Sequence, residues 1–264
     1  MHPLHRWSLA AVVLPLCLAA WGVLWIWDRS PYGRFLEHGG WTEVSFGALC
    51  SVAPGGSAAL AAALYVGGWV LMCAAMMLPT TLPLLVLFHR ANARARWRRL
   101  RTAMVVAGYL IAWLVYGVVA HAADWLVHTG VTAVPWLVVN GWVIGAAVLA
   151  VAGAFQFSSL KYQCLDKCRT PLALVMRHQG RRRGALAPLG LGLWHGVYCV
   201  GCCWALMLLM FAVGTSSLGL MFALGVFMAV EKNLPGGRRV GKPIGAALLA
   251  GAAVTVAAQV PVAV

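Results

Sequence analysis

The chain has 264 residues, of which 62% are hydrophobic and only 10% charged, and its formal net charge is +14. Soluble domains carry about a quarter charged residues, so this composition excludes a soluble globular domain, a disordered chain and a secreted disulfide scaffold, and predicts an integral membrane protein. A basic excess suits nucleic acid unless its placement is topological, and the spans decide between the two.

A bilayer-crossing helix needs about 20 mostly apolar residues. The sequence predicts seven, at about 8–27, 58–88, 102–120, 136–160, 186–213, 217–230 and 243–260. The expected architecture is all-α: a polytopic transmembrane bundle forming a single integral membrane domain over 1–264.

Arg6 precedes the first apolar run, as in a signal peptide. No small-residue cleavage site follows, and Trp21, Trp25 and Trp27 read as an interfacial belt, so this helix is expected to stay uncleaved. The second span carries Trp69, Met72, Cys73, Met76, Met77 and Pro79. Met72 and Met76 lie one turn apart, while Pro79 and Pro83 remove backbone donors and predict a bent or broken helix. Methionine there is either flexible filler or a soft-metal ligand.

At the far end of the third span, His121, Asp124 and His128 recur at helical spacing, which suits either an outer metal entry point or an ordinary polar helix end. After the fourth span come Cys164 and Cys168, one turn apart if the helix runs on to Arg169. They read as soft-metal ligands at the inner mouth, as a redox pair or as helix-end packing.

The fifth span contains His195, Cys199, Cys202 and Cys203. At 100° per residue the first three fall within about 60° of one another, with Cys203 on the edge of the stripe. An intramembrane histidine is costly and marks function. Imidazole, thiolate and thioether with few carboxylates point to Cu(I), with zinc and nickel as alternatives. Close helix packing is the competing role for these cysteines. Glu231 and Lys232 close the sixth span: Lys232 reads as a snorkelling lysine, Glu231 as an interfacial carboxylate or a candidate proton acceptor.

With the N-terminus cytoplasmic and the C-terminus periplasmic, 18 of the 20 Lys and Arg fall on the inner side, leaving Arg29 and Arg34 outside. The charge is therefore topological and no nucleic-acid partner is expected. No Walker motif, His-Glu-x-x-His or Gly-x-Ser-x-Gly is present, so no enzyme class suggests itself.

Four segments carry a family resemblance: Trp69 to Pro79; Cys164 and Cys168 before Arg169-Thr170-Pro171; His195 to Cys199 with Gly201-Cys202-Cys203-Trp204; and Glu231-Lys232 with Pro235-Gly236-Gly237. In these the chain resembles a bacterial family described as predicted metal-binding integral membrane proteins. The family pattern commonly has Thr-Pro where this chain has Ser158-Ser159, which bears on the bend expected there.

The resemblance implies metal binding without assigning a mechanism. The function expected is binding of a soft metal, Cu(I) first, in a bacterial inner membrane, for transport or for delivery to a client metalloenzyme or metallochaperone. A membrane thiol oxidoreductase and a non-catalytic assembly subunit are the alternatives.

Overall fold

The computed structural model describes residues 4–30, 58–181, 184–213 and 218–259. The loop carrying His38, Glu37, Glu43 and Cys50, and the turn at 214–217, lie outside the described residues. All the regular structure described is helical.

Helix α1 spans Leu4–Asp28 and α2 Ala58–Met77. A 3-10 turn at Pro79–Thr81 leads into α3, Leu82–Ala91. Next come α4 (Arg98–Ala133), α5 (Pro135–Val139), α6 (Trp142–Phe155) and α7 (Ser159–Arg169). Helix α8 is Pro171–Arg181, α9 Ala187–Val213 and α10 Leu218–Asn233; a 3-10 turn at Gly237–Arg239 precedes α11, Gly241–Gln259.

Three helical stretches are long and apolar enough to cross a membrane: Arg98–Ala120, Ala187–Met210 and Gly237–Gln259. Counting each bent pair as one span raises the number to five among the described residues. The third predicted span is the most extended by folding, since α4 continues to Ala133.

Both breaks have local causes. The chain bends by 46° between α2 and α3, where Pro79 cannot donate to the helix ladder. Thr80 Oγ1 donates to the Met77 carbonyl at 2.7 Å, Thr81 Oγ1 to Leu78 at 2.8 Å, and the Leu82 N–H to Pro79. The Met77, Leu78 and Pro79 carbonyls at the break are thus satisfied locally, as a buried break requires.

The second bend, 62° between α6 and α7, falls at Gln156–Ser158. Ser158 adopts extended φ and ψ and its side chain accepts from the Lys161 N–H, so it caps α7. The bend survives without the Thr-Pro of the family pattern because this cap supplies the start of a new helix.

Helix α9 is the centre of the bundle, packed on α4, α6, α7 and α8. Its approach to α4 is so close that a Cβ at Gly192 would stand 1.9 Å from the Val105 carbonyl oxygen. Small residues at such positions let helix backbones meet. At Gly201 a Cβ would stand 2.7 Å from Cys164 Sγ, a side-chain atom that can rotate away.

Gly192→Ala is therefore expected to cost about 1–3 kcal/mol as overpacking, and Gly201→Ala less. Thermal unfolding in detergent measures the order, and equal midpoints would contradict the rigid α4–α9 contact.

Candidate metal centre

The core around α9 is rich in sulfur. Met72, Cys73, Met76 and Met77 of α2, Met207 and Met210 of α9, and Met221 and Met228 of α10 are all buried in one cluster with Cys199, Cys202 and Cys203. Cys17 of α1 belongs to the same cluster, its sulfur 4.0 Å from the Ala74 carbonyl oxygen.

Helical spacing gathers the α9 thiols on one face. Cys202 Sγ and Cys203 Sγ donate to the Cys199 carbonyl at 3.1 and 2.9 Å. The 62° bend then lays α7 against α9, so Cys168 packs, partly buried, against the same cluster. Cys164, one turn earlier, packs against Gly201. The sequence suggests a membrane core and a separate inner mouth; the fold joins their cysteines in one group.

Two further side chains enter this group from other helices. Lys232, only 6% exposed, directs its Nζ to Cys199 Sγ at 2.9 Å, Cys203 Sγ at 3.6 Å and Met77 Sδ at 3.8 Å. It does not snorkel: α10 packs along α2 and turns this residue inward. Tyr109 of α4 lies with its hydroxyl 3.0 Å from Cys199 Sγ and donates to the Met77 carbonyl at 3.2 Å.

His195 is 4% exposed, its ring 5.8 Å from that of Tyr109, and its Nδ1 has no hydrogen-bond partner on the protein. An imidazole nitrogen buried in that way beside thiols is available to a soft metal. Met72 and Met76 share the buried core, with Met76 against Gly225, but the thioether in contact with Lys232 is that of Met77. Neither Tyr109 nor Met77 stands out in the sequence as a partner of the cysteines.

A second polar group lies one residue away on α10. Glu231 Oε1 accepts from Lys161 Nζ, which also donates to Gln156 Oε1. Lys161 and Glu231 are 0% and 1% exposed. The other carboxylate oxygen, Oε2, has no protein partner. Arg169 donates to the carbonyls of Glu231 and, at 2.8 Å, Leu234, tying α7 to the end of α10. His121, Asp124 and His128 lie along the last turns of α4, but their side chains fall outside those described.

Among the described residues, no three His, Cys, Asp or Glu side chains form a ready-made metal cage. The donor chemistry is nonetheless soft throughout: thiol, thioether and one imidazole, with the buried carboxylate engaged by lysine. Fold and site together define an all-helical protein with a buried, sulfur-lined centre suited to a soft metal ion.

Comparison with known proteins then supplies the family. Residues 66–255 match the PpoB2 family, described as copper chaperone, and the chain belongs to that family. The match begins just before Trp69 and takes in every cysteine of the α7–α9 group. No curated protein and no solved structure matches the chain.

Proposed function

We propose that this protein is a membrane-embedded copper chaperone that holds Cu(I) on the sulfur atoms of α9 and α7 and passes it to a client metalloenzyme or metallochaperone. The observation that carries this reading is the gathering of Cys199, Cys202 and Cys203 in a buried, methionine-rich core against which α7 packs Cys168. Cu(I) favours thiolate and thioether ligands, and membership of a copper chaperone family supplies the metal.

Cysteine binds metal as thiolate and gives up its proton on binding. Cys199 and Cys203, the two thiols within reach of Lys232, would hold the ion as thiolates, with Cys202 as a neutral thiol and His195 Nδ1, Met72, Met76 and Met77 completing or relaying the coordination. Cys168 and Cys164 lie toward the basic end of α7 and would exchange the ion with a partner, one sulfur for another.

A location in the bacterial inner membrane accords with the three long apolar helices. The clustering of basic residues in alternate connections supports a cytoplasmic N-terminus. His121, Asp124 and His128 would then collect metal on the outer side.

The full chain, purified in detergent under reducing conditions after growth in copper, zinc and nickel, is expected to retain near-stoichiometric copper. X-ray absorption should show sulfur as the dominant scatterer around it. Absence of copper, or copper ligated by oxygen and nitrogen alone, would reject this reading.

A further inference from the structure

Lys232 has no place in a purely sulfur-based site, yet it lies within it. Its ammonium reaches two thiols and a thioether, at 2.9, 3.6 and 3.8 Å. Burying a charge in an apolar core is costly unless an opposite charge accompanies it. The neighbouring lysine, Lys161, is matched by Glu231. Asp166 pairs with Arg238 at the surface, 3.1 Å away. Among the described residues, no carboxylate forms an ion pair with Lys232.

We propose that Lys232 is a fixed counter-charge that makes the centre select a monovalent ion, Cu(I), over divalent ions such as Zn(II). This rests on the sulfur site proposed above. Cys199 and Cys203 are the thiols within reach of the ammonium, and the charge count for a metal on both follows directly. Two thiolates with a monovalent cation carry one negative charge, which the ammonium cancels. With a divalent cation the thiolates are already neutralised, and Lys232 leaves a whole positive charge buried beside a cation.

Tyr109 and Met77 contribute no formal charge to offset it, and the Lys161–Glu231 pair is self-balanced. Zinc would otherwise compete well for such thiolates, because soft ligands alone do not exclude it. The lysine adds a criterion that thiolate chemistry lacks: the charge of the ion.

The test is competitive titration of the full chain in detergent with Cu(I) and with Zn(II) against chelators of known affinity. Wild type is compared with Lys232→Met, Lys232→Gln and Lys232→Arg, with Cys199→Ser alongside. Removing the charge is expected to weaken Cu(I), strengthen Zn(II) and lower the preference by about 100-fold. Lys232→Arg, which keeps the charge, should stay within about threefold of wild type on that scale.

Lys232→Gln retains an N–H donor for Cys199, so it decides the matter if Lys232→Met does not fold. A wild-type preference in the uncharged variants, with copper still lost in Cys199→Ser, would overturn the selectivity role and leave the sulfur site standing. Wild-type copper binding in Cys199→Ser would overturn the site itself, and the role of Lys232 with it.

Discussion

Cys199→Ser is expected to lower Cu(I) affinity by at least about two orders of magnitude, or roughly 2.7 kcal/mol, while leaving the fold in place. Cys199 is the hub of the group: its sulfur meets Lys232 Nζ at 2.9 Å and the Tyr109 hydroxyl at 3.0 Å. The Cys202 and Cys203 thiols donate to its carbonyl at 3.1 and 2.9 Å.

Serine is the informative substitution because it separates ligation from packing. Its hydroxyl still accepts from Lys232 and can donate to the Tyr109 oxygen, so no buried ammonium is stranded, but oxygen is a hard ligand that Cu(I) disfavours. Alanine would remove the ligand and leave Lys232 without its partner, mixing a folding defect into the measurement. Cys168→Ser is expected to have a smaller effect, since the three α9 thiols remain. Chelator competition with thermal unfolding on the same samples checks both halves. An unfolded Cys199→Ser would assign the residue a structural role; a folded one with wild-type affinity would remove it from the site.

Much of this arrangement is legible in the sequence, and the parts that are not share a reason. The α9 stripe follows from spacing: residues three and four apart lie on one helix face whatever surrounds them. The break at Pro79 follows from a missing donor. That α7 folds back to bring Cys168 against the sulfur-rich core depends on a bend at Gln156–Ser158, where the local signal is a single serine cap.

Lys232 is harder still. Its position at the end of an apolar helix is the ordinary setting for a snorkelling lysine. Only the packing of α10 against α2, which places Met77 and Cys199 in front of it, turns it inward. Periodicity likewise gives Met72 and Met76 a common face but not the helix that face meets. Met77, on the next position, is the one that reaches the charged group.

Lys161→Met is expected to destabilise the protein by about 3–5 kcal/mol, because it leaves the Glu231 carboxylate buried and unpaired. At about 2–4 °C per kcal/mol for a chain of this size, the midpoint should fall by roughly 10 °C. The site offers no relief: Lys161 and Glu231 are 0% and 1% exposed. Gly241 closes so tightly over them that a Cβ there would lie 2.7 Å from Glu231 Oε1 and 3.0 Å from Lys161 Nζ. The double variant Lys161→Met with Glu231→Gln should recover most of the loss, since no buried charge remains and only the net worth of the pair is missing.

A double variant as unstable as Lys161→Met alone would show that the lysine acts through packing and not through charge. The pair also bears on the centre beside it. While Lys161 neutralises Glu231, Lys232 has no carboxylate competing for it and its charge is directed at the thiols. Lys161→Met releases a negative charge on the adjoining residue of α10, so any copper preference that depends on Lys232 should weaken in that variant and return in the double one.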